Sequence, residues 1–286
     1  MSIFINIILT LILIILMGSF ILSFYFTHRF YLKYPSNPSN VKLTYEDVSF
    51  KSTDGLTLGG WWVPVVGSDK VVIQLHGHAS SMDPDIQYLP TLHQHGYNVL
   101  MFDFRGHGRS QGNTVTIGYL ERRDVLGAID FVKQKGFNKI ALLGFSMGGV
   151  LAILVGAISP DVKVVVSDSA PVHLTSAMRE RMVELGMPRF VAIAIAWIIV
   201  AATSLRLGAN LFDYDAACWV EKIAPRPLYL LHGGADRYVP DFDELLKAAG
   251  PTVKVWDVPN IGHTEVINAM HEEYLRRLVE FLNESL

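Results

Sequence analysis

The hexapeptide Gly144-Phe145-Ser146-Met147-Gly148-Gly149 decides the fold of this chain. A short apolar run, 140–143, precedes it, and a longer apolar run, 147–158, follows it. This order predicts a strand, a sharp turn that carries Ser146, and a helix, which is the arrangement that exposes a serine as a nucleophile. Glycine at 144 and 148 removes the side chains that would clash in so tight a reversal. The helix N-terminus behind Ser146 favours negative charge at that point.

Short apolar runs alternate with longer helical stretches on both sides of this turn. An antiparallel pair at 48–52 and 56–65 opens the pattern, with Asp54-Gly55 at the turn between them. Further strands are predicted at 71–75, 98–103, 140–144, 162–166, 228–231 and 253–258, and helices at 83–95, 117–135, 147–158, 241–249 and 265–282. This alternation predicts an α/β fold with a mostly parallel central sheet and helices on both faces. Ligands of such folds bind at the carboxyl ends of the strands.

A serine nucleophile needs a base and an acid that orients the base. His263, in the sequence Gly262-His263, follows the last predicted strand, and Asp236 follows the preceding one. Both loops are expected at the same edge of the sheet as Ser146, so the predicted catalytic residues are Ser146, His263 and Asp236. Asp168, one strand earlier, is the alternative acid. Asp103 is interpreted as a loop anchor or as an ion-pair partner of the nearby Arg105.

Acyl transfer also needs hydrogen-bond donors for the developing oxyanion. The backbone N–H of Met147, directly after the nucleophile, is the first predicted donor. The second is expected in the loop after the first parallel strand, where the backbone N–H of His78 is favoured and Ala79 is its neighbour and alternative. His76 in the same loop is interpreted as a residue that holds the loop by hydrogen bonds.

The N-terminus has a different composition from the rest of the chain. No Lys, Arg, Asp or Glu lies between Met1 and His28, and 20 of the first 26 residues are apolar. A helix over 3–26 would cover roughly 36 Å, enough for a hydrocarbon core of about 30 Å. This predicts a single-pass membrane anchor. A cleaved signal peptide is the alternative, although no cationic residue precedes the apolar stretch. Arg29 and Lys33 favour a cytoplasmic catalytic domain.

These segments predict a domain organisation. It consists of a transmembrane anchor at 1–28, a linker at 29–44, and one catalytic domain at 45–286 with a cap insertion at 172–223. The cap contains an apolar run at 190–202. We interpret this run either as a buried helix, or as a cap over the active site whose apolar face lines an acyl pocket or touches the bilayer.

Composition excludes several classes of protein and site. The net charge of −3 argues against a nucleic-acid binder that neutralises phosphates. The single cysteine, Cys218, cannot form an intramolecular disulfide. The sequence has no His-Glu-x-x-His motif or Cys/His cluster, so no metal is predicted. It has no phosphate-cradling or dinucleotide motif, so no cofactor is predicted.

With these motifs in place, the chain resembles the α/β-hydrolase superfamily over roughly residues 45–286. The motifs that carry the resemblance occur in family order: His76-Gly77, Asp103-Phe-Arg-Gly-His-Gly-Arg-Ser110, Gly144-Phe-Ser-Met-Gly-Gly149, His232-Gly-Gly-Ala-Asp236 and Gly262-His263. The chain is most similar to the branch that contains monoacylglycerol lipases and serine aminopeptidase-like hydrolases, including membrane-anchored members. The chain departs from the pattern in carrying His78 where family members often have an apolar or aromatic residue.

The resemblance implies a serine hydrolase that acts through a Ser-His-Asp triad, with a cap inserted after the sixth strand. The expected substrate is a small acyl ester, including lipid esters. An acyl thioesterase and a serine aminopeptidase are alternatives, and Glu180 and Glu184 are candidates for capturing a substrate amine. A non-catalytic, membrane-anchored binding module on the same fold is the alternative from another class.

Overall fold

The computed structural model of the protein describes residues 2–31 and 36–286. Its strands are β1 (Glu46–Lys51), β2 (Thr57–Val63), β3 (Lys70–Leu75), β4 (Asn98–Phe102), β5 (Lys139–Phe145), β6 (Val162–Asp168), β7 (Leu228–Gly233) and β8 (Lys254–Val258). Its helices are α1 (Ser2–Thr27), α2 (Leu89–Gln94), α3 (Arg122–Gln134), α4 (Met147–Ile158), α5 (Leu174–Glu184), α6 (Arg189–Leu207), α7 (Ala217–Val220), α8 (Phe242–Ala249), α9 (Val266–Ala269) and α10 (His271–Ser285).

The eight strands of these described residues form one sheet in the order β1-β2-β4-β3-β5-β6-β7-β8. β1 pairs with β2, and β2 with β4, in antiparallel register, and the remaining neighbours are parallel. The predicted α/β architecture with a mostly parallel sheet is therefore confirmed. Helices pack on both faces of the sheet, where two separate apolar clusters form the core.

Two of the predicted helices are divided in the structure. The stretch predicted as a helix at 83–95 is a 3-10 helix, Asp83–Tyr88, followed by the short helix α2. The stretch at 265–282 consists of α9 and α10, because Met270 leaves helical geometry with φ of −136° and ψ of 46°. The predicted helix at 117–135 begins only at Arg122, after a turn.

The register of the parallel strands brings the predicted site residues to one edge of the sheet. Leu75 of β3 is paired with Gly144 of β5, and Phe145 is paired with Asp168 of β6. The loops that follow these strands therefore begin side by side. β7 continues the same edge, because its Leu231 is paired with Asp168.

The apolar helix α1 divides into an exposed and a packed part. The residues from Ile3 to Met17 are all exposed, whereas Ser19, Ser23, Phe26 and Thr27 are buried against the rest of the chain. The packed part lies against α6. Helices α1 and α6 are both long and apolar enough to cross a membrane. The core helices of soluble proteins and signal sequences can share this length and composition.

The end of α1 is attached to the domain by backbone and side-chain contacts. His28 and Phe30 form isolated bridges with Thr114 and His107. The Arg29 guanidinium donates hydrogen bonds to the carbonyl oxygens of Gly112 and Gly108. The beginning of the predicted linker, 29–31, thus packs against the domain, while Lys33 of that linker lies outside the described residues.

Candidate active site

Ser146 sits at a strained turn between β5 and α4. Its φ is 53° and its ψ is −116°, in a region that non-glycine residues rarely adopt. The turn is tight enough to require glycine at both flanking positions. A Cβ atom on Gly144 would lie 2.0 Å from the carbonyl oxygen of Gly148, and one on Gly148 would lie 2.0 Å from the carbonyl oxygen of Leu75. The strain exposes the Ser146 hydroxyl at the edge of the sheet.

The structure brings Ser146, His263 and Asp236 into one hydrogen-bonded chain. His263 Nε2 lies 2.8 Å from Ser146 Oγ, and His263 Nδ1 lies 2.7 Å from Asp236 Oδ2. Because a carboxylate can only accept, the Nδ1–H of a neutral His263 donates to Asp236 and leaves Nε2 free to accept the Ser146 hydroxyl proton. The second Asp236 oxygen accepts from the backbone N–H of Tyr238 at 2.8 Å, which fixes the carboxylate.

Asp236 and His263 are positioned by two loops that hold each other. The backbone N–H of Gly234 donates to the carbonyl oxygen of Val258, and that of Ala235 donates to the carbonyl oxygen of Ile261. These bonds join the loop after β7 to the loop after β8. Asp236 is 5% exposed, so its interaction with His263 is shielded from water and strengthened.

Asp168, the alternative acid, has a different set of partners. Its Oδ2 accepts from the Tyr274 hydroxyl at 2.8 Å, and its Oδ1 accepts from the Ser169 hydroxyl at 2.9 Å. Its carbonyl oxygen accepts from the backbone N–H of Ser146. Burial raises the pKa of Asp168 to about 6. In this geometry Asp168 supports the turn, whereas Asp236 contacts the histidine.

His76 holds its loop, as interpreted from the sequence. Its Nε2 accepts from the backbone N–H of Phe104 at 3.0 Å, so its Nδ1 carries the proton and donates to the carbonyl oxygen of Gly77 at 2.7 Å. Burial lowers the pKa of His76, which keeps the ring neutral in this arrangement.

Asp103 is a loop anchor, but its cationic neighbour is not Arg105. Its Oδ1 accepts from the backbone N–H of Met82, and its Oδ2 accepts from that of Arg109. The Arg109 guanidinium lies 3.7 Å from Asp103. Arg105 instead pairs with Asp54 and Asp124. The predicted ion pair between Asp103 and Arg105 is therefore wrong, and Arg109 takes that place.

Both candidate oxyanion loops border the site. Met147 begins α4, and it lines the cavity above Ser146 together with His78 and Ala79. Burial lowers the pKa of His78 to about 4, so its ring is neutral near pH 7. Its Nε2–H donates to the carbonyl oxygen of Phe26 at 3.2 Å. The side chain of His78 therefore connects the oxyanion loop to the end of α1.

The cavity at Ser146 has a volume of about 360 Å³ and mixed walls. Two of these walls come from segments whose sequence pattern does not indicate a place at the site. One wall comes from the end of α1 and the residues after it, namely Tyr25, Phe26 and Phe30. Another comes from α5, through Leu174, Ala177, Met178 and Arg181. The apolar run at 190–202 supplies none of the lining residues, so the interpretation that it lines the pocket is wrong.

The two acidic candidates for binding an amine are engaged elsewhere. Glu180 is buried and forms ion pairs with Arg179 and Arg189. Glu184 accepts hydrogen bonds from Arg181 and from the Tyr238 hydroxyl. Among the described residues, no group of three or more His, Cys, Asp or Glu side chains is placed to hold a metal ion.

The central part of the chain matches a known protein family. The family model "Serine aminopeptidase, S33" matches residues 67–214, a little over half of the chain. The chain belongs to this family of α/β hydrolases. The matched region contains the Ser146 turn and the His76 loop, while Asp236 and His263 lie beyond its end.

Some related proteins and solved structures are similar to this S33-family protein over most of its length. The YfhR protein of Escherichia coli K12 is 24% identical over 256 residues, 84% of this chain and 81% of YfhR. A carboxylesterase of Bacillus subtilis is 31% identical over 112 residues, 38% of this chain and 45% of that protein. The esterase Pf2001 of Pyrococcus furiosus superposes with a TM-score of 0.76 at 28% identity, over 91% of this chain and 98% of that one. The chain is thus a hydrolase by family and has esterases among its structural neighbours.

Proposed function

We propose that the protein is a membrane-anchored serine hydrolase that cleaves carboxylic esters. The observation that carries the proposal is the hydrogen-bonded chain from Ser146 Oγ through the His263 imidazole to Asp236, with separations of 2.8 and 2.7 Å. These distances lie within the range that proton transfer between a nucleophile and its base requires.

The reaction follows from the roles of these groups. His263 Nε2 takes the Ser146 hydroxyl proton while Oγ attacks the ester carbonyl carbon. The tetrahedral oxyanion accepts hydrogen bonds from the backbone N–H groups of Met147 and His78. When the intermediate collapses, the C–O bond to the leaving group breaks, and the departing alcohol takes the proton from His263. Asp236 stabilises the imidazolium throughout.

Water completes the cycle by the same route in reverse. His263 takes a proton from the water as its oxygen attacks the acyl carbon on Ser146. Collapse of the second intermediate breaks the bond to Oγ, returns the proton to Ser146 and releases the carboxylic acid. One water is consumed per ester, and Ser146 and His263 return to their starting protonation states.

The cavity walls favour an ester over a peptide. An aminopeptidase needs an acidic group facing the substrate amine, but Glu180 and Glu184 are paired with arginines. The walls at Phe26, Phe30 and Met178 are apolar and suit an acyl chain. The esterase neighbour at 28% identity supports the same substrate class.

We further propose the domain boundaries read from the sequence, with an anchor at 1–28, a linker at 29–44 and a catalytic domain at 45–286 that carries the 172–223 cap. Burial of Phe26 in the catalytic domain favours an uncleaved anchor over a signal peptide, because cleavage would remove a cavity wall. Arg29 and Lys33 support a cytoplasmic catalytic domain.

A substrate panel with full-length protein in detergent tests the proposal. It contains p-nitrophenyl esters from acetate to decanoate, an acyl thioester and an aminoacyl p-nitroanilide. We expect ester hydrolysis that falls by at least about 10³ in Ser146→Ala. The matched control is Ser159→Ala at the other end of α4, which should keep the wild-type rate. Hydrolysis of the anilide alone would contradict the proposal.

A further inference from the structure

From Phe190 onward, the exposed face of α6 is apolar. Between 190 and 205, every exposed residue is apolar: Phe190, Ile193, Ala194, Trp197, Ala201 and Leu205. Positions 190, 193, 197, 201 and 205 are separated by three or four residues, so these side chains lie along one stripe of the helix. A continuous apolar surface of this kind on a folded domain marks an interaction site.

The length of α1 indicates what covers this face. The fully exposed stretch from Ile3 to Met17 covers about 22 Å as a helix, less than the roughly 30 Å of a hydrocarbon core. A helix that spans the bilayer must therefore place about five further residues within it. Those residues, 18–22, include Ser19, which is already buried against the domain.

The surface that meets this part of α1 is α6. The two helices pack against each other, and Arg206 of α6 fixes the contact. The Arg206 guanidinium donates to the carbonyl oxygen and the hydroxyl of Ser23 and to the Thr27 hydroxyl, and it lies over the Phe24 ring. Because α1 and α6 are held together, the depth of α1 in the bilayer sets the position of α6.

We propose that the apolar stripe of α6 is a second membrane-contact surface, which seats the Ser146 cavity against a lipid bilayer. Trp197 lies in the middle of this stripe, and tryptophan favours the boundary between lipid and water. Tyr25 and Phe26, which line the cavity, follow residue 22 by only one turn of helix. The inference rests on the proposed function and names its substrate class: esters with an apolar chain, drawn from the bilayer surface.

Lipid contact can be measured with full-length protein in phosphatidylcholine vesicles. In a Cys218→Ala background, Ile193→Cys or Leu205→Cys carries an environment-sensitive fluorophore, and the lipids carry a quencher on the acyl chain. Val66→Cys is the control, since Val66 is also exposed and apolar but follows β2 at the opposite edge of the sheet. We expect quenching at 193 and 205 and none at 66. Absence of quenching at 193 and 205, or their cross-linking between two copies instead, would overturn the proposal.

A second experiment separates this inference from the proposed function. The double variant Phe190→Glu, Leu205→Glu is compared with Val66→Glu on water-soluble p-nitrophenyl acetate and on a long-chain fluorogenic ester dissolved in vesicles. We expect the double variant to lose at least about tenfold on the vesicle ester and to keep the acetate rate, because two large apolar side chains leave the membrane surface. Wild-type vesicle activity in the double variant would refute the membrane contact. Failure of the wild type on acetate would refute ester hydrolysis itself.

Discussion

Replacing Phe26 tests whether the end of α1 belongs to the catalytic domain. The Phe26 side chain is 5% exposed, lies in the same core cluster as Met147 and Leu174, and lines the cavity. Truncating a buried phenylalanine to alanine costs about 3–5 kcal/mol. In a domain of this size, that cost lowers the melting temperature by roughly 10 °C. Loss of the ring also removes a contact with the substrate's acyl chain, which should lower kcat/KM about tenfold.

The assay compares Phe26→Ala with Phe20→Ala in the same detergent. Phe20 is on the same helix but is 47% exposed, so its loss should change neither quantity. Melting is followed by scanning fluorimetry, and kcat/KM is measured on p-nitrophenyl acetate and decanoate. We expect the loss to be larger on decanoate, which reaches the wall. If Phe26→Ala melts with the wild type and keeps its acyl-length profile, α1 is not a wall of the site.

Further predictions concern the anchor, the base and its acid, and the buried Asp168. Removing residues 1–17, of which 3–17 are exposed, should leave a folded, active enzyme. Removing residues 1–34 should destabilise the enzyme and slow decanoate hydrolysis at least about tenfold, because the cavity wall formed by Phe26 and Phe30 is lost. Equal activity of the two truncated proteins would contradict the packing of α1 against the site. The variants His263→Ala and Asp236→Asn should each have a kcat lowered at least about 10²-fold, whereas the kcat of Asp168→Asn should stay within about threefold of the wild type. A larger loss in Asp168→Asn than in Asp236→Asn would make Asp168 the acid. Because burial raises the pKa of Asp168 to about 6, the folded state favours its protonated form, and this contribution to stability is lost as the pH rises from about 4 to about 7. Burial also raises the pKa values of Asp85 and Asp124, so both proteins lose stability over this range. In urea unfolding, the loss in the wild type should exceed the loss in Asp168→Asn by roughly 3 kcal/mol.

Local chemistry explains why the centre of the site could be predicted. The Ser146 turn needs small residues at 144 and 148, and the close approach of backbone oxygens to both positions shows why. Asp236 and His263 directly follow strands, so the order of strands in a parallel sheet is enough to place them near Ser146. The structure places Asp236 against His263, at 2.7 Å between Oδ2 and Nδ1.

The cavity walls could not be predicted, because they depend on contacts between distant segments. The aromatic run around Tyr25 and Phe26 fits a membrane-interface belt, and nothing in its pattern indicates a hydrogen bond from His78 to the Phe26 carbonyl oxygen. In the predicted cap insertion, the run at 190–202 is the most apolar segment, yet the cavity is lined by the more polar helix α5. Helix α5 presents Leu174 and Met178 to the cavity, a spacing of one helical turn that is easily missed in a polar sequence.

Covalent labelling of Ser146 tests the central claim most directly. Full-length protein is treated with a fluorophosphonate, which phosphonylates an activated serine hydroxyl, and the modified peptide is identified by mass spectrometry. We predict one adduct on Ser146, absent in Ser146→Ala and formed far more slowly in His263→Ala, because Nε2 removes the Oγ proton. An adduct on another residue, or labelling that persists in Ser146→Ala, would contradict the assignment of Ser146 as the nucleophile.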